Sequence, residues 1–238
     1  MANLRTVRHP IAMFIVAVLV VIGMGVGVLV GTGNAALPSV HLSTTANVSS
    51  PKFSAMLLNI SQLPMGWSAG PFPENGQAGC WGNIMEPRGV RETASASASF
   101  VANVGPRAVV ETLATYKDPK TSYGRIVAHL ADCTHFLGTL VGHQVTGAVA
   151  QMTLPRYGDA SQAFLVSFTV PTAAHEILLI VLKGNIVMGI AEGNTGALYL
   201  PQFRGFVMKA VGKLGWPRRS DQRAVVVVNV QSACNWSG

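Results

Sequence analysis

Charge is in short supply in this sequence of 238 residues: Asp, Glu, Lys and Arg together make up 11% of it, against 49% hydrophobic residues. A chain this apolar does not stay disordered, because it has enough apolar surface to bury and little self-repulsion. Two cofactor signatures are missing as well, the glycine-rich phosphate loop and the Gly-x-Gly-x-x-Gly dinucleotide fingerprint. Cysteine is limited to Cys80, Cys133 and Cys234. One disulfide at most forms within a chain, three pairings are open, and one thiol is left over. The formal net charge of +7 is scattered, with only Arg218, Arg219 and Arg223 clustered, and no aromatic residues alternate with basic ones. A single-strand groove needs that alternation, so no nucleic-acid partner is expected. The arginine cluster reads as a solvated turn, with anionic lipid headgroups as its alternative partner.

What the chain has in quantity is one long apolar run, Ile11 to Gly31, preceded by Arg5, Arg8 and His9 and followed by no charged residue until Lys52. A run of that length crosses a lipid core as a helix, with its cationic flank on the cytoplasmic side. The expected organisation is a cytoplasmic N-terminus (1–10), a transmembrane anchor or signal sequence (11–31), a flexible linker (32–50) and an extracytoplasmic domain (51–238). A signal peptide has an apolar core of only about 7–15 residues, which favours a retained anchor. Cleavage near Ala35, in the small-residue stretch Gly33-Asn34-Ala35-Ala36, would instead secrete the chain. Gly23, Gly27 and Gly31 recur every four residues on one helix face, where a second helix could approach closely and form a homodimer. Glycine is also simply common in membrane helices.

From Pro51 the pattern becomes that of a folded domain. Pro51 opens a short helix whose stripe is Phe53, Met56, Leu57 and Ile60. A long loop, Ala69 to Arg91, carries Cys80 and many Pro and Gly residues. Thr93 to Val101 and Ala108 to Tyr116 read as a hairpin. Asp118 then caps a helix with the stripe Tyr123, Ile126, Val127, Leu130, Cys133 and Leu137, ending at Gly138. Strands are expected over Gln144 to Leu154, Gln162 to Val170, Glu176 to Lys183 and Asn185 to Glu192, the last two joined by a tight turn at Gly184-Asn185. A helix over Pro201 to Leu214 and a strand over Val225 to Val230 finish the domain. Blocks of strands separated by helices indicate the α+β class, here a twisted antiparallel sheet with helices packed on one face.

The domain resembles the extracellular sensor domain of the PknH-type Ser/Thr kinases and related envelope proteins and lipoproteins of actinobacteria. The residues that carry the resemblance are Leu57-Leu58, Leu63-Pro64-Met65-Gly66-Trp67, Cys80, Val109 to Tyr116, the helix reaching Cys133, Tyr157-Gly158-Asp159 and Gly184-Asn185-Ile186-Val187. They span about residues 50 to 214. The resemblance implies a twisted antiparallel sheet with helices and a cleft, binding of an unidentified ligand, no enzymatic activity, and a disulfide between Cys80 and Cys133. In two respects the chain departs from the kinase sensors: about ten residues precede the apolar run, and three cysteines cannot make their second disulfide.

Aromatic residues on a tethered loop can wall an apolar pocket, so Trp67, Pro73 and Trp81 are the candidate ligand-binding residues. The alternative is that the two tryptophans cover a sheet edge. His129, Asp132, Cys133 and His135 have helical spacings that suit a metal, but they fall on two faces, and a bridged Cys133 is no ligand. No metal or cofactor is expected. Hydrolysis would need an activated serine, a base and an orienting acid. His175-Glu176 is present, but the histidines lack a distinctive context, so no catalytic residue is assigned. The sequence thus points to an envelope domain that binds a small molecule or partner without chemistry. An assembly protein acting through protein contacts is the second reading, and a hydrolase whose site forms only in the fold is the third.

Overall fold

The computed structural model describes residues 51–71, 76–77, 79–140, 143–170 and 173–215. In chain order the elements are α1 (Pro51–Met56), β1 (Trp67–Ala69), β2 (Gly76–Gln77), β3 (Glu92–Ala102), β4 (Arg107–Tyr116), α2 (Pro119–Asp132), β5 (His135–Leu140), β6 (His143–Met152), β7 (Ala160–Val170), β8 (Ala174–Lys183), β9 (Ile186–Asn194) and α3 (Leu200–Lys213). The strands form one sheet in the order β1-β3-β4-β9-β8-β7-β6-β5-β2, antiparallel at every pairing. This is the expected α+β class. The apolar run, the linker, Val225 to Val230 and Cys234 lie outside the described residues, as do Gly23, Gly27 and Gly31.

The helices divide between both faces, where the sequence pattern placed them on one. The cause lies in the central strands. In β8 consecutive residues from Glu176 to Leu182 are all buried, and in β9 the same holds from Ile186 to Gly193. Strands buried on both sides need cover on both sides. Leu178, Ile180 and Leu182 pack with Ile126 and Leu130 of α2. Ile177, Leu179 and Val181 pack with Phe53 and with Phe203, Phe206 and Val207 of α3. Alternate side chains along one strand therefore feed two cores.

The termini of α1 and α2 differ from the periodic reading. The stripe of α1 breaks after Leu57, and Ile60 is 47% exposed in a short 3-10 helix, Ile60–Gln62, where Asn59 N donates to Gln62 Oε1 at 3.0 Å. The start of α2 is as expected, with Asp118 accepting from Thr121 N at 3.1 Å. Its end is earlier. The helix stops at Asp132, and His135 to Leu140 form β5, pairing with β6. Strand alternation then buries Phe136 and leaves Leu137 64% exposed. Gly184, at φ 58°, makes the tight connection between β8 and β9 that Gly184-Asn185 signals.

Candidate functional site

The expected aromatic pocket does not form around the two tryptophans. Trp67 lies in the α3-side core, edge-on to Phe206 with ring centroids 5.5 Å apart. Trp81 lies in the α2-side core, stacked on Phe136 at 5.9 Å and edge-on to Phe168 at 6.4 Å. They are 9% and 3% exposed, on opposite sides of the sheet, so each fills a core rather than walling a shared cleft. Pro73 lies outside the described residues. The Cys80–Cys133 disulfide is formed, with 5.7 Å between Cα atoms, and it fixes the 3-10 helix Gly79–Asn83 against the end of α2.

The polar cluster spans the end of α2 and the start of β5, and two of its members have structural partners. His129 Nε2 is 2.6 Å from Cys80 O, Cys133 is bridged, and Asp132 and His135 are exposed. No group of three His, Cys, Asp or Glu residues among the described residues is placed to hold a metal ion.

An open surface exists instead on the α3 side of the sheet. Ala148, Ala150 and Met152 of β6 stand opposite Ser167, Leu165 and Ala163 of β7, which stand opposite His175, Ile177 and Leu179 of β8. Because paired residues share a face, and Met152, Ala163, Ile177 and Leu179 pack in the α3-side core, this whole grid faces that side. Cover fades outward from α3: Ile177 and Leu179 are buried, Leu165 is half-buried and Ala150 is exposed. The result is a floor of mostly small or apolar side chains. A cavity of about 240 Å³ opens at its edge, where the polar side chains of Gln151, Thr153, Ser161 and Gln162 line it together with Met152, Leu154, Ala163 and Leu179. Pockets that engulf a small molecule run to about 300–1,000 Å³, so this cavity is smaller than that range.

Beyond the floor, on β9 and β4, the same face is polar. Arg107 Nη2 and Glu192 Oε1 are 2.5 Å apart, Arg107 also donates to Gln202 Oε1 of α3, and its guanidinium lies 5.7 Å from the centroid of the Trp67 ring. Arg107 Nε and Glu192 Oε2 are buried without partners. Burial raises the Glu192 carboxyl, partly offset by Arg107. In the neighbouring row His175 Nδ1 is 3.2 Å from Ser167 Oγ, while Asn194, opposite His175, is engaged with Gly196 N and Ala197 O. Among the described residues, His175 is hydrogen-bonded to Ser167 and to no carboxylate.

Three features escaped the sequence reading. Gly66-Trp67-Ser68-Ala69-Gly70 matches the Gly-x-Ser-x-Gly pattern, but it runs along edge strand β1 rather than a strand-to-helix elbow, and Ser68 Oγ donates to Asn103 Oδ1 at 3.0 Å. Glu111, Glu176 and Glu192 are buried on central strands, and both oxygens of Glu176 lack partners. A glutamate inside an apolar run was their available signal. The floor residues Ala150 and Leu165 carried none, because which strands α3 leaves uncovered depends on the sheet order.

These features define an antiparallel α+β domain with a disulfide-pinned loop on one face and an open floor on the other. No family model matches the sequence, and no curated protein matches it. Among solved structures, the chain is similar in fold to the extracellular domain of PknH from Mycobacterium tuberculosis, at a TM-score of 0.53 and 10% identity, over 71% of this chain and 97% of that one. An uncharacterised protein from Mycobacterium smegmatis, an Rv0999 ortholog, aligns at a TM-score of 0.39 and 12% identity, over 65% of this chain and 92% of that one. The chain has the fold of the PknH extracellular domain.

Proposed function

We propose that this protein is an extracytoplasmic, sensor-like domain, held to the membrane by residues 11–31, that binds a small apolar molecule or an envelope partner on the floor of β6, β7 and β8 and performs no chemistry. The observation that carries the reading is the uneven cover of the sheet: the α2 side of these strands is packed with Val149, Val166 and Phe168, whereas on the α3 side cover is complete at Ile177 and Leu179 of β8 and fades through half-buried Leu165 of β7 to exposed Ala150 of β6. The shared fold with an extracellular domain and the disulfide support export. Pairing of two chains through Gly23, Gly27 and Gly31 belongs to the same proposal and is checked by crosslinking wild type against Gly27→Leu.

Titration with the apolar fluorophore 8-anilinonaphthalene-1-sulfonate tests the floor. Wild type is expected to bind it saturably. Ala150→Trp, which fills exposed space on the floor, is expected to weaken binding by about tenfold or more, about 1.4 kcal/mol. Unchanged binding in a folded variant overturns the reading. The hydrogen bond between Ser167 and His175 is the one observation favouring hydrolysis. A fluorophosphonate probe separates the two: no labelling is expected, and labelling abolished by Ser167→Ala would establish a nucleophile.

A further inference from the structure

Exposed cations collect at one end of the sheet. Register places Glu92 opposite Tyr116, Thr115 opposite Ile186, and Leu182 opposite Ala160, so these strand termini share an end. Arg91 precedes β3, Lys117 follows β4, and Arg156 stands between β6 and β7. Arg125 of α2 donates to Gly89 O at 3.2 Å, which holds the turn carrying Arg88 beside the first turns of α2 and Lys120. All six of these cations are exposed. Four acids stand at the same end, Glu86, Glu92, Asp118 and Asp159, and Glu92 Oε1 is buried without a partner. Asp118 caps α2, Asp159 pairs with Lys183 at 3.0 Å, and half-buried Glu86 accepts from Glu92 N. Among the described residues, the other exposed Lys and Arg side chains are Lys52 of α1 and Lys209 of α3, while Arg107 at the opposite end is half-buried against Glu192.

α3 begins at the Arg107 end, where Gln202 meets Arg107, and runs toward the Lys117 end. Lys209 donates to Gln62 O and Lys213 to Leu57 O, so the segment from Leu57 to Trp67 runs back along α3.

We propose that this rim, Arg88, Arg91, Lys117, Lys120, Arg125 and Arg156, rests on an anionic lipid surface and holds the sheet with its Lys117 end toward the membrane and its floor open sideways. The cations are spread along strand ends rather than converging on one point, which fits a plane of phosphate headgroups better than a single bound phosphate. Such attraction acts within about a Debye length, roughly 8 Å at physiological ionic strength, so it requires contact and weakens with salt. The proposal does not depend on the floor binding anything.

Hydrogen–deuterium exchange on the full chain in lipid nanodiscs provides the test, with phosphatidylcholine alone compared with phosphatidylcholine containing phosphatidylglycerol. Peptides covering 88–91, 117–125 and 156–159 are expected to exchange more slowly on the anionic discs. High salt removes that protection without any substitution, and so does the triple variant Arg91→Glu, Lys117→Glu, Arg156→Glu. Equal exchange on both discs overturns the proposal, as does protection that survives salt and charge reversal. A chain that co-purifies with neither disc overturns the anchor instead. Pelleting with anionic but not neutral vesicles then decides the rim, at about fivefold weaker binding per unit of positive charge lost, hence about twenty-five-fold per Lys or Arg reversed to Glu.

Discussion

Glu111 lies in the middle of β4, fully buried, with Oε2 accepting from Leu58 N at 2.6 Å and Oε1 without a partner. Burial pushes its carboxyl from 4.5 up to about 7, against the opposing pull of that hydrogen bond and of Lys213. The folded chain thus holds this proton more tightly than the unfolded one. Its contribution to stability is complete below about pH 4.5 and is lost as the pH rises through 7. Glu92, pushed to about 7, and Glu176 and Glu192, both raised by burial, act in the same direction. Urea unfolding at about pH 5 and about pH 8 is expected to give the lower stability at the higher pH, by about 3 kcal/mol for Glu111 alone. Glu111→Gln, whose amide oxygen can still accept from Leu58 N, should flatten that dependence. A second residue-level expectation concerns Gly158, at φ 62°, where an added Cβ would meet Leu182 O at 2.4 Å. Gly158 sets Tyr157 into the core and lets Asp159 accept from Gly184 N at 2.7 Å, locking the connection before β7 onto the turn between β8 and β9. Gly158→Ala is expected to cost about 3 kcal/mol and lower the thermal midpoint by roughly 10 °C.

Among the elements, the loop bearing Cys80 and the floor make separable contributions. The disulfide closes a sequence separation of 53 residues, for which chain entropy gives about 4 kcal/mol. Cys80→Ser with Cys133→Ser is expected to lower stability by that order and to expose 79–91 to limited proteolysis. Probe binding on the floor should survive, because the loop packs on the other face; loss of binding in a variant that remains folded would return the site to the loop. The elements that sequence made legible are those with local signals: the hairpin of β3 and β4, the Asp118 cap with Pro119, the Gly184-Asn185 turn and the stripe of α3. β5 was hidden because the apolar period of α2 continues through Cys133 to Leu137, although pairing with β6 takes the chain from His135 onward. Trp67 and Trp81 illustrate the limit for sites. Their proximity in sequence suggested one pocket, but a sheet lies between them, and only the strand order reveals that.

For the whole molecule, the sheet separates three roles. One face carries the disulfide and a closed aromatic core, the other carries α3 and the open floor, and one end gathers the exposed cations. An anchored domain arranged in this way would meet the membrane through its rim and meet a ligand from the side. The most direct measurement of the central claim is methyl NMR of the labelled protein titrated with 8-anilinonaphthalene-1-sulfonate. Binding on the floor is expected to move the methyl signals of Ala148, Ala150, Met152 and Leu165 together and leave those of Ile84, Val90 and Leu130 in place. Shifts confined to Ile84, Val90 and Leu130, beneath the Cys80 loop, or no saturable shifts at all, would contradict it.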